Sequence, residues 1–165
     1  MILKIGTILV ALAGPAAAQD LVFDMGATLS CLDRTSAGRD GRECIGRSAD
    51  ACMVATPGGS STIGMGGCLD RELSYWDERL NASYSDLRAS ERSDDASYGG
   101  SAGYVSKADA LRDMQRAWIA FRDATCDYER AQWGGGTGGG PATVACLMYM
   151  TGEQTLYLES VRADY

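Results

Sequence analysis

The sequence predicts an all-α fold, a small disulfide-stapled helical bundle of three long helices with one or two short N-terminal helices. Three observations carry that prediction. Apolar residues recur at steps of three and four along three long segments, the period of a helix with one buried face. No period-two alternation runs long enough to demand a sheet. Six cysteines, an even number, read as a disulfide framework in an exported chain.

Residues 1–18 read as a cleaved signal peptide. Lys4 supplies the positive start, Ile5 to Leu12 a short apolar stretch, Gly14-Pro15 a break, and Ala16-Ala17-Ala18 a small-residue cleavage site. The apolar run falls short of the about 20 residues that a span needs, so no membrane insertion is expected. No Cys follows it to carry a lipid. The expected mature start is Gln19 and the expected location periplasmic or secreted. Residues 19–67 form a Cys-rich lead-in and residues 68–165 the main helical domain.

In the lead-in, Met25 to Arg34 suits a short helix, and Asp40-x-x-Glu43 opens another through Cys52. The first long helix carries Leu69, Leu73, Trp76, Leu80, Tyr84 and Leu87. The second carries Leu111, Met114, Trp118, Phe121, Thr125 and Tyr128, with Ser106-x-x-Asp109 as a capping signal at its start. The third enters through Pro141, a first-turn residue, and carries Val144, Leu147, Thr151, Gln154, Leu158 and Val161. Gly152 is its weak point, at about 1 kcal/mol relative to Ala. Gly, Ser and Asp mark linkers at 35–41, 56–67, 90–103 and 133–141.

Pairing the cysteines in chain order lets each bridge flank one Gly-rich segment: Cys31 with Cys44, Cys52 with Cys68, Cys126 with Cys146. Other connectivities remain open at this point. A zinc site lacks support, since there is no C-x-x-C and no His. No metal or cofactor is expected.

Two helical motifs stand out. Asp77-x-x-Leu80-Asn81-x-x-Tyr84 precedes Gln115-x-x-Trp118-x-x-x-Arg122-Asp123-x-x-Cys126, and each aims polar and large apolar residues at one face. An Arg beside a Trp on a core-facing stripe needs a partner. Asp77 is the expected one, so Asp77, Asn81, Gln115, Trp118 and Arg122 form an expected structural polar contact locking a hairpin.

With Cys68 ahead of these motifs, and a glycine-rich loop (Trp133 to Gly140) and Cys146 behind them, the chain resembles the LprI-like lysozyme-inhibitor domain family of bacterial envelope proteins. The resemblance runs from Cys68 to the C-terminus. The Cys31 to Cys44 stretch looks like the Cys-rich lead-in of some members. The resemblance implies an exported binding protein whose partner is a lysozyme or another cationic cell-wall lytic enzyme. The alternative is a structural or quality-control module of the envelope with no lytic-enzyme target.

Chemistry is thinly represented. Without His the commonest general base is missing, and Asp77 and Asp123 beside Arg122 suit ionised, paired acids; no catalytic residue is assigned and no enzyme is expected. The run Trp133-Gly-Gly-Gly-Thr137-Gly-Gly-Gly140 ends in Pro141, not in the Lys-Ser/Thr of a phosphate loop. Asp94-Asp95 lacks the alternating ligands of a calcium loop. A formal net charge of −7, one unit more acidic without Lys4, argues against nucleic acid and suits a cationic protein partner. The expected partner-binding residues are Trp133, Gly135, Gly136 and Thr137, on a thin loop able to enter a cleft, with Ser60 and Ser61 on a second tip spanning 56–62.

Overall fold

The computed structural model describes residues 20–35, 40–98 and 103–163; the signal-peptide segment and part of the 35–41 linker lie outside them. Five α-helices follow in order: α1 Gly26–Leu32, α2 Arg47–Ala55, α3 Thr62–Tyr98, α4 Lys107–Ala131 and α5 Gly139–Ala163. A 3-10 helix, Asp40–Cys44, precedes α2. No strand occurs among the described residues.

Three long helices carry the bundle, and α5 is its centre, packing against α3 along one flank and α4 along the other. The α3 stripe faces inward as its spacing requires. Trp76, Leu80 and Leu87 are buried with Leu69, in two clusters completed by Met148 and Leu156 at one end and Leu158 at the other. Burial on α5 extends beyond the predicted stripe to Met148, Gly152, Thr155 and Leu156, because neighbours cover it on several sides.

Helix α3 is longer than the linkers at 56–67 and 90–103 allow. Its 37 residues begin just after Ser61, whose hydroxyl accepts from Gly64 N at 3.1 Å and whose carbonyl accepts from Met65 N at 2.8 Å. The glycines there are contact points, not breakers. Any Cβ on Gly64 would collide with the backbone of Gly58 and Gly59, so only Gly lets the 56–61 turn lie against the helix. At its other end the Asp- and Ser-rich segment stays helical through Tyr98, because Asp95 accepts from the start of α4. Gly152, read as a weakness, has a similar reason: a Cβ would sit 2.8 Å from Ile45 Cδ1, where the segment ahead of α2 seats on α5.

The disulfides join Cys31 to Cys44, Cys52 to Cys68 and Cys126 to Cys146, with Cα separations of 5.4, 5.7 and 5.5 Å. They tie α1 to the 3-10 helix, α2 to α3, and α4 to α5. No helix among the described residues is long and apolar enough to cross a membrane.

One buried charge organises the lead-in. Glu72 is fully buried. Its Oε1 accepts from Thr28 Oγ1 (2.9 Å), Gly46 N (2.8 Å) and Trp76 Nε1 (3.1 Å), and its Oε2 from Ala49 N (2.7 Å). Thr28 and Ser48 exchange backbone-to-hydroxyl bonds at 3.0 Å each. A buried carboxylate is tolerable only when its oxygens are satisfied this fully.

Candidate functional site

The C-terminal end of α4 and the N-terminal half of α5 form the most chemically distinctive surface. Helix α4 closes through successive turns, with Trp133 N donating to Arg130 O (3.2 Å), Gly134 N to Ala131 O (3.1 Å), Gly136 N to Trp133 O (2.8 Å) and Gly139 N to Gly136 O (3.1 Å). Gly134 and Gly135 take φ of +53° and +87°, which L-residues resist. The ring of Trp133 lies so close over Gly138 that a Cβ there would overlap it. The loop therefore folds back on itself, with Gly135, Gly136 and Thr137 exposed on its outer turn. Trp133 remains 52 % exposed.

Beside the loop lies an open groove of about 440 Å³, lined by the large side chains of Trp133, Tyr149 and Met150, the small Ala142 and Ala145, and Glu129. Cys146 lines it, and Met150 Sδ lies 3.9 Å from Sγ of both Cys126 and Cys146, so that lining rests on the α4–α5 disulfide. The phenol of Tyr149 is pushed above its ordinary pKa first by burial, then by the charges of Asp50 and Glu72.

Phe121 and Tyr128, expected to face the core, are exposed on α4. Steps of three and four follow a 3.5-residue period, which drifts by about 20° per heptad on a straight helix. Leu111, Met114 and Trp118 still pack on the lower core cluster; one to three turns later the stripe has rotated off the seam. The seam itself is held by Gln115, Arg122 and Cys126.

The expected Asp77–Arg122 lock is not formed. Arg122 pairs with its neighbour Asp123 (2.8 Å), reaches Thr151 Oγ1 on α5 (3.5 Å) and stacks over the Trp118 ring at 5.0 Å. Asp77 is exposed and accepts from the exposed Asn81 at 3.1 Å. Asp77 and Arg122 do border one open depression of about 430 Å³, with Asp70, Glu78, Leu73 and Leu147. The reason is the position of α5: it takes the inward-facing polar residues of α4, including Gln115, whose Oε1 accepts from Gln154 Nε2 at 2.9 Å. The fully buried acid among the described residues is Glu72, one turn before Trp76 on the same face. That spacing was the signal available for it, since a Glu four residues from a stripe Trp shares its side of the helix.

The second tip, 56–62, is a tight turn. Ser60 is exposed, Ser61 caps α3, and Gly59 is buried against α2. Val54 and Ile63 flank it, 89 % and 78 % exposed. No group of three or more potential metal ligands occurs among the described residues.

A family model described as lysozyme inhibitor LprI matches residues 52–158, more than half of the chain. The chain belongs to the lysozyme inhibitor LprI family. The match starts at Cys52, so the last turn of α2 and the Cys52–Cys68 disulfide lie inside it, ahead of the Cys68 start that the motifs indicated. An uncharacterized 17.7 kDa protein from the puhA 5′ region of Rhodobacter capsulatus is 24 % identical over 155 residues, covering 93 % of each chain. An uncharacterized protein of Rhizobium meliloti (strain 1021) is 30 % identical over 95 residues, 57 % of this chain and 68 % of its own. No solved structure matches.

Proposed function

We propose that this protein is a non-catalytic, periplasmic or secreted inhibitor of a lysozyme-type cell-wall lytic enzyme. Family membership carries the reading. The acidic charge of −7 supports it, because an acidic bundle meets a cationic enzyme with a salt-sensitive on-rate. Three disulfides suit an oxidising compartment. Trp133 is the proposed anchor, since it is half exposed and Trp is enriched among the few residues that carry most binding energy, and the Cys126–Cys146 tether lowers the ordering cost.

The test is muramidase inhibition by the oxidised protein, with a c-type lysozyme at low and moderate salt. Inhibition is expected, weaker at higher salt, and lost in Trp133→Ala with the fold intact by circular dichroism. Absence of inhibition at roughly tens of micromolar, an affinity no better than about −6 kcal/mol, overturns the reading. Inhibition untouched by Trp133→Ala and Thr137→Asp moves the contact to the turn carrying Ser60 and Ser61.

A further inference from the structure

The sequence suggests a finger that enters a partner's cleft, yet the 133–138 connection is bent back by its own turns and closed over Gly138 by the Trp133 ring. Beside it lies the open groove lined by Trp133, Tyr149 and Met150. We propose that the groove between α4 and α5 receives one projecting apolar side chain, carried on a basic segment of the lytic enzyme, so that the enzyme inserts into the inhibitor. The proposal rests on the reading that a lytic enzyme is the target, and adds which partner contributes the protrusion and what chemistry it bears.

Shape, composition and charge agree. An open depression of about 440 Å³ lined by Trp133, Tyr149, Met150 and two alanines offers aromatic, thioether and methyl surface to an aliphatic or aromatic side chain. No Lys or Arg lines it; its one charged lining residue is Glu129. The charge of Asp50 on α2 also reaches the Tyr149 phenol. The charge bordering the apolar lining is therefore acidic, complementary to a hydrophobic residue with Lys or Arg beside it. The disulfide behind Met150 holds the wall in place before the partner arrives, which removes part of the ordering cost.

A glycan is the other class of occupant that exposed aromatic rings suggest. Stacked sugars also need several hydrogen-bonding groups around the rim. Besides the Tyr149 phenol and the Trp133 indole, both part of the aromatic wall, the polar lining is Glu129 and Thr125, and the Thr125 hydroxyl already donates to Phe121 O at 2.8 Å. The groove is better equipped for an apolar side chain.

The experiment uses the oxidised full chain with a c-type lysozyme as probe, read by inhibition and by calorimetric affinity at two salt concentrations. Ala142→Arg fills the slot with a cation, and Glu129→Lys reverses the exposed rim charge without touching the core. Ala142→Arg is expected to weaken binding by more than about tenfold, and Glu129→Lys to weaken it while flattening its salt dependence. Wild-type strength in a folded Glu129→Lys together with a folded Ala142→Arg overturns the groove and leaves the inhibitor reading standing. If Ala142→Arg fails to fold, Glu129→Lys decides: undiminished affinity overturns the proposal. Failure of the wild type to inhibit or bind removes the inhibitor reading and the groove assignment with it. A chitooligosaccharide that binds the wild type, is lost in Ala142→Arg and leaves lysozyme binding unaffected overturns the polypeptide occupant in favour of a glycan.

Discussion

Glu72 and Asp95 do the same work near opposite ends of α3, in opposite surroundings. Each carboxylate accepts four hydrogen bonds, and each caps the start of another helix. Glu72 takes Gly46 N and Ala49 N at the head of α2, with the Thr28 hydroxyl and the Trp76 indole. Asp95 takes Lys107 N (2.9 Å) and Ala108 N (3.1 Å) at the head of α4, with the hydroxyls of Tyr104 (2.6 Å) and Ser106 (2.7 Å). A carboxylate suits a helix N-terminus because it satisfies orphan N–H groups and meets the positive end of the dipole. Glu72 is sealed in the core, whereas Asp95 stays partly exposed. One arrangement thus serves as a keystone in one place and as a surface latch in the other.

The comparison breaks most easily at Glu72. Glu72→Ala leaves four buried donors without their acceptor, and removing one partner of a buried, charge-assisted network costs about 3–5 kcal/mol. Oxidised protein titrated with denaturant should show a midpoint drop of that size, with the 26–55 segment most affected in hydrogen exchange. A loss under about 1 kcal/mol, the range of an ordinary net hydrogen bond, would mean that the disulfides and Ile45 hold the lead-in without the carboxylate.

Gly152→Ala separates those contributions. A methyl 2.8 Å from Ile45 Cδ1 overpacks the seat of the lead-in on α5, at a cost of about 1–3 kcal/mol. Adding Ile45→Val should recover part of it. Stabilisation by Gly152→Ala, which helix propensity alone would give at about 1 kcal/mol, would show that the seat yields freely and leaves the placing of the lead-in to Glu72 and the disulfides.

How much of this was legible followed the type of interaction. The apolar stripe of α3 was readable because Leu69, Trp76, Leu80 and Leu87 obey one period and all are buried. The Ser106 cap was readable because its partner lies three residues on, its hydroxyl accepting from Asp109 N at 3.1 Å. The ends of α3 were not: Gly64 and Asp95 look like linker residues until the segments that lie against them, 58–59 and 104–108, are in place. Arg122 shows the same limit at the candidate site. Sequence said that it needed a partner but could not say that Asp123 and Thr151 would serve, since that depends on α5 lying between the motifs. Trp133, expected as an anchor at the base of the loop, is half exposed, while Tyr149 and Met150, which line the same groove, lie on a helix whose pattern implied only core.

The smallest effect is expected at Asp95, and it is a matter of pH. Hydrogen bonds from Tyr104 first, then Ser106, hold the Asp95 carboxyl well below the usual carboxylate range, and the same contact pushes the Tyr104 phenol up to about 12. A folded-state pKa below the unfolded one gives stability that is present in full above the unfolded value, about 3.9, and fades as pH falls below it. The raised Tyr104 pKa works at the other end, stabilising below about 10 and losing that contribution as pH climbs toward 12. Asp95→Asn keeps the side-chain size, cannot ionise and brings an amide that donates toward the α4 N–H groups. The stability gap between wild type and Asp95→Asn should be widest from about pH 5 to 9 and narrow on acidification below about 4. An Asp95→Asn gap that stays constant from pH 3 to 7 would mean that the carboxylate's charge contributes nothing beyond its shape, and that the likeness to Glu72 is one of geometry alone.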